Sequence, residues 1–80
     1  MKKYSKEIDE FLRKKILPVM NLEEYNEENI SDIVEYMFNE IESPLCNAEE
    51  NGEVLTNEKS ELLRLTTKAI TEITTRDDWK

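Results

Sequence analysis

From Tyr4 onward the apolar side chains step by four, three, one and four residues, through Ile8, Phe11, Leu12 and Ile16. That spacing puts them on one face of an α-helix, whose turn takes about 3.6 residues. A first helix is therefore predicted. It should stop near Leu17, because the ring of Pro18 disfavours helical geometry in the residue before it. Asp9 with Arg13 and Glu10 with Lys14 add acid-before-base pairs on its solvent side, each stabilising by about 0.2–0.5 kcal/mol.

Asn21 and Glu24 have the spacing of a capping box, so Leu22 to Tyr25 are expected to form one short turn. Asn26 then caps a second helix, with Glu27 and Glu28 placing negative charge where the helix dipole favours it. Ile30, Ile33, Val34, Met37 and Ile41 mark its inward face, and Ser43-Pro44 should end it. Residues 47–57 are polar, hold the only glycine, Gly52, and read as the one long loop. Thr56 or Asn57 caps a third helix whose inward positions are Leu62, Leu63, Thr66, Ala69, Ile70 and Ile73. Its five threonines, Thr66, Thr67, Thr71, Thr74 and Thr75, are β-branched and favour strands, yet the apolar spacing and the Glu72–Arg76 pair suit a helix better.

Three amphipathic helices with one stripe each bury those stripes against one another. The expected fold class is all-α: a compact three-helix bundle with a short extra turn between helices 1 and 2, residues 1–80 forming a single helical domain. A chain this short buries only about 60–65% of the surface it exposes when unfolded. Its core is thin, and a stability of about 5 kcal/mol is expected.

The chain contains no histidine, which removes the commonest general base, metal ligand and activator of a nucleophile. One glycine cannot build a Gly-rich phosphate loop. The neighbouring acids Glu23 and Glu24, Glu27 and Glu28, and Asp77 and Asp78 would point about 100° apart on a helix, so they do not converge on one substrate atom. Ser5, Ser31, Ser43 and Ser60 read as surface or capping residues. Cys46, the only cysteine, reads as a packing residue beside Pro44 and Leu45, with no base nearby to activate it. The expectation is a non-enzyme with no catalytic residues, no metal and no cofactor.

One stretch carries a different possibility. Asn47, Glu49, Asn51, Gly52, Val54 and Glu58 fall at positions one, three, five, six, eight and twelve of a loop that resembles the calcium-binding EF-hand. The resemblance covers that loop alone and implies a degenerate, calcium-responsive helix pair. Asn47 departs from the usual first Asp, Glu49 is long for position three, Leu55 stands where a polar group often bridges through water, and Pro44 interrupts the entering helix. An Asn-Gly turn is the competing account.

Charge is distributed unevenly. The chain carries a net −8, yet residues 1–20 sum to +3, residues 59–80 to +1, and residues 21–58 to −12 with no Lys or Arg among them. Such a field attracts a basic partner and disfavours direct binding to nucleic acid. The leading expectation is a protein-protein interaction module, a regulatory one among the forms it could take, that meets a basic protein through Glu23, Glu24, Glu27, Glu28, Asp32, Glu35, Glu40 and Glu42. Trp79 is a candidate anchor, with folding back over a bundle end as its alternative. Tyr25, Tyr36 and Phe38 also sit awkwardly on the stripes and hint at recognition. An inhibitor or immunity-type protein that imitates nucleic acid on a basic enzyme is a second functional possibility. A solubilising surface, with basic helix 1 lying against acidic helix 2, is the plain alternative.

No apolar run reaches the length of about 20 residues that a membrane span needs, and charges interrupt the place of a signal-peptide core. With a single cysteine, this predicts a soluble protein of the reducing cytoplasm. The wealth of Lys, Asn, Ile and Glu hints at a low-GC bacterium or its mobile elements. Partner identity and oligomeric state are not encoded in any pattern of this kind.

Overall fold

The computed structural model describes residues 4–76, with the backbone alone at Arg76. All regular structure among them is helical and falls into three helices. The first covers residues 6–20, the second residues 30–50 and the third Asn57–Arg76. The three-helix bundle read from the apolar stripes is the fold observed.

Each stripe is buried as its spacing requires. Tyr4, Ile8, Phe11, Leu12 and Ile16 from the first helix meet Ile30, Ile33, Val34, Met37 and Ile41 from the second and Ala69 and Ile73 from the third. Full burial of one such aliphatic or aromatic side chain stabilises by about 1.5–3 kcal/mol. The third helix contributes less. Only Thr66, Ala69 and Ile73 are buried, while Leu62, Leu65 and Ile70 are partly covered at its flank. Leu63, placed inward by the pattern, is only half-buried, and Leu65 replaces it against the core. The threonines do not break this helix. Thr67, Thr71, Thr74 and Thr75 face solvent, and Thr74 returns its hydroxyl to the Ile70 carbonyl at 2.9 Å.

Neither proline ends its helix. In the first helix the residues Leu12–Ile16 form a wide π-type turn, in which the Leu17 N–H reaches back five residues to the Leu12 carbonyl. Pro18 follows within Leu17–Met20, and Leu17 keeps helical geometry at φ −57° and ψ −44°. The second helix repeats the arrangement. Phe38–Glu42 is a wide turn, Ser43 bonds back to the Phe38 carbonyl, and Pro44 opens Ser43–Glu50. A proline has no N–H to donate and its ring crowds the carbonyl four residues back. A turn already shifted to five-residue bonds needs no proline donor, and the ring enters without breaking the rod. The early ends expected at Leu17 and Ser43 are thereby corrected.

Both helices end on the same device instead. Asn21 takes the left-handed conformation at φ 61°, its N–H bonding the Pro18 carbonyl at 3.2 Å while the Leu22 N–H bonds that of Leu17 at 2.9 Å. Gly52 does the same at φ 87°, with its N–H on Glu49 and that of Glu53 on Ala48, both at 3.0 Å. These are paired Schellman closures, which satisfy carbonyls that a helix end leaves free.

Asn21 is thus a stop rather than a cap, and Leu22 to Tyr25 form no helical turn. The extra turn lies at residues 27–29. There Asn26 accepts from the Glu28 and Asn29 N–H groups at 2.8 and 2.9 Å, and the Asn29 side chain accepts from the Asn26 N–H at 2.8 Å. That reciprocal pair has the capping-box pattern, five residues downstream of the Asn21 and Glu24 predicted. Thr56 caps the third helix through the Lys59 N–H at 3.2 Å.

Candidate functional site

The first and third helices run antiparallel and are fastened by polar contacts. Ser5 donates from its backbone N–H and its hydroxyl to Glu72, the hydroxyl at 2.9 Å. Glu7 accepts from Lys68 at 2.6 Å and Arg64 at 3.1 Å, and those two cations hold its carboxyl below the usual range. Basic helix 1 against acidic helix 2 is therefore not the pairing used. Among the described residues the inter-helix ion pairs join an acid of the first helix to bases of the third.

A second polar group anchors the linker. Asp9 takes the Arg13 guanidinium at 3.0 Å and the Tyr25 hydroxyl at 2.6 Å. Arg13 also reaches Glu24 at 2.9 Å and lies 5.2 Å from the centre of the Tyr25 ring. The ring itself sits 5.4 Å from that of Tyr4. Burial, and then the hydrogen bond to Asp9, push the Tyr25 hydroxyl up to about 12. The Arg13 guanidinium in turn lowers Glu24.

Of the eight acids read from the sequence as a contact surface, two are used internally. Glu24 serves Arg13, and Glu42 accepts from the Thr67 hydroxyl at 2.9 Å. The other six, Glu23, Glu27, Glu28, Asp32, Glu35 and Glu40, are exposed. Asp32 and Glu35 stand three residues apart on the outer side of the second helix, away from Ile30, Ile33, Val34 and Met37, and exposed Glu28 precedes them in the turn at residues 27–29. Phe38, three residues further on, is 51% exposed and continues that stripe. Tyr25 is buried and Tyr36 packs beside the core, so Phe38 alone of these three aromatics is available to a partner. Trp79 lies outside the described residues.

The loop that resembles an EF-hand is not assembled as a ligand cage. Asn47 and Glu49 belong to helical Ser43–Glu50, Glu58 belongs to the third helix, and Val54 is 95% exposed. Gly52 spends its positive φ on closing a helix. Among the described residues, no group of three or more His, Cys, Asp or Glu side chains could hold a metal ion. The half-buried Cys46 thiol is raised by burial and by Glu42, Glu49 and Glu50, which leaves it a poor nucleophile.

One concavity was not legible in the sequence. An open groove of about 490 Å³ lies between the first and third helices, lined by Phe11, Leu62 and Leu65 together with Lys15, Asn57, Glu58 and Glu61. Two predicted stripes give no hint of such a gap between their helices, so only the assembled structure locates it.

Fold and surface define an all-α three-helix protein with an acidic outer stripe. No protein-family model matches the chain, and no curated protein or solved structure matches it. No described helix is long and apolar enough to cross a membrane.

Proposed function

We propose that this chain is a non-catalytic interaction module that binds a basic protein surface through the outer side of its second helix. The observation that carries this reading is the exposed row Glu28, Asp32 and Glu35 running into exposed Phe38, within residues 21–58 that hold no cation. Neighbouring acids without an intervening base repel one another, by about 0.2–0.5 kcal/mol per i,i+4 pair on a helix. A cationic partner relieves that repulsion and is drawn in at long range, with Phe38 supplying apolar contact. The lone thiol suits a reducing cytoplasm, where we place the protein.

The test compares capture from the native cell by the unaltered chain, by a Glu28→Lys, Asp32→Lys, Glu35→Lys triple variant, and by Phe38→Ala. The expected result is a basic protein retained by the unaltered chain, released as salt rises, and lost with the triple variant. Equal capture by the folded triple variant would defeat the proposal. If duplex DNA displaces the captured protein, the partner is a nucleic-acid-binding protein whose groove the carboxylates occupy.

A further inference from the structure

We infer that residues 43–50 form a hinged arm that unfastens from the bundle as one unit, with Pro44 as its pivot. The inference does not depend on the partner reading above, since it concerns how the second helix is held rather than what it meets.

The two prolines give an internal comparison. On either side of Pro18 the first helix is secured: Leu17, just before the proline, is 3% exposed, and Met20 at the helix end and Leu22 just beyond it pack against the core. After Pro44 nothing comparable follows. Ser43–Glu50 contains no buried residue, and only Leu45 packs partly against the core. The last side-chain tie from the second helix to the third is Glu42 with Thr67, just ahead of the proline. Among the described residues, no side-chain hydrogen bond or ion pair fastens residues 43–50 to any other element.

Continuity with the rest of the helix is also weakened at that point. Ser43 bonds five residues back to Phe38, and Pro44 has no N–H to offer the carbonyls behind it. The eight residues of Ser43–Glu50 therefore hang on a joint with a missing donor. Isolated helices shorter than about 12–15 residues are marginal in water. Once Leu45 lifts away, only its own backbone bonds and the closure at Gly52 keep the segment helical. Opening would merge it with residues 51–56 into one longer tether that carries Glu49, Glu50 and Glu53 and no base. The adjoining bundle, held through Ile33, Met37 and Ile41, would stay folded. Unequal local stability of this kind is how a small fold supplies a movable element.

Amide hydrogen exchange on the intact chain tests this, residue by residue, at several urea concentrations below the unfolding transition. The amides of Asn47 to Asn51 should exchange at least about 100-fold faster than those of Ile33 to Met37, all at one common protection that falls with urea along one shared, shallow slope. Pro44→Ala, which restores the missing donor, should slow those amides by about tenfold and leave Ile33 to Met37 unchanged. A smooth gradient of protection rising from Gly52 back through Phe38 would mean ordinary end fraying and would overturn the inference. So would a Pro44→Ala variant with unaltered exchange across the segment.

Discussion

Thr66 is fully buried, and its hydroxyl has no hydrogen-bond partner. A buried polar atom left unpaired costs about 1–3 kcal/mol. Valine has nearly the same shape without the hydroxyl, so Thr66→Val should raise stability by about 1 kcal/mol, read as a higher urea midpoint at unchanged slope. A lower midpoint would contradict this account. Tyr25 presents the opposite case, a buried polar group that is well served. Its folded-state pKa of about 12 stands above the ordinary 10, so the folded chain holds the proton more tightly. That stabilisation is complete below pH 10 and fades as pH rises toward 12. Thermal unfolding followed across this range should therefore fall more steeply for the native chain than for Tyr25→Phe, and parallel curves would refute it. The hydrogen-bonding of neither hydroxyl is legible in the sequence. Thr66 was placed inward correctly, but a sequence does not disclose whether a hydroxyl finds a partner. Tyr25 looked like a recognition aromatic because nothing local announces that the linker folds back onto Asp9.

The helices themselves were legible because burial imposes a period, and the inward positions of the first two stripes are buried throughout. Their ends were not, since a proline's effect depends on the register of the carbonyls behind it. Sequence displays the ring but not the wide turn that accommodates it. The closures at Asn21 and Gly52 make a further test. A left-handed backbone costs an ordinary L-residue about 1–2 kcal/mol, while Asn tolerates it and Gly is free of it. Asn21→Ala should therefore destabilise by about 1 kcal/mol in urea denaturation, and Asn21→Gly should be neutral or slightly stabilising. At Gly52 a Cβ would meet nothing within 4 Å, so any loss in Gly52→Ala reports backbone conformation alone. Equal stability of all these variants would show that the closures contribute nothing.

Across the whole molecule, charge works in two ranges. The ion pairs of Arg13, Arg64 and Lys68 close at 2.6–3.1 Å, well inside a Debye length of about 10 Å at 0.1 M salt. Repulsion among the acids of residues 21–58 acts over longer separations and is screened first. Adding salt from about 10 to 150 mM should therefore raise the melting temperature, whereas a fall would mean that the pairs dominate. The acidic bias was plain in the sequence, as was the exposure of most of its members. Which acids were already engaged was not. Glu24 and Glu42 find partners from the first and third helices, Arg13 and Thr67, and such meetings arise from packing between separate segments of the chain. The groove beside Phe11 escaped for the same reason.

The meeting of Ser5 with Glu72 brings the outer ends of the first and third helices together, while residues 51–56 make an open crossing elsewhere. The bundle is in effect a closed circuit whose point of opening is a matter of chemistry rather than architecture. A permuted chain that starts within that crossing and joins the third helix to the first by a short flexible bridge keeps every buried side chain in place. Its cooperativity of unfolding would then reveal how much of the fold belongs to the order of synthesis and how much to the packing alone.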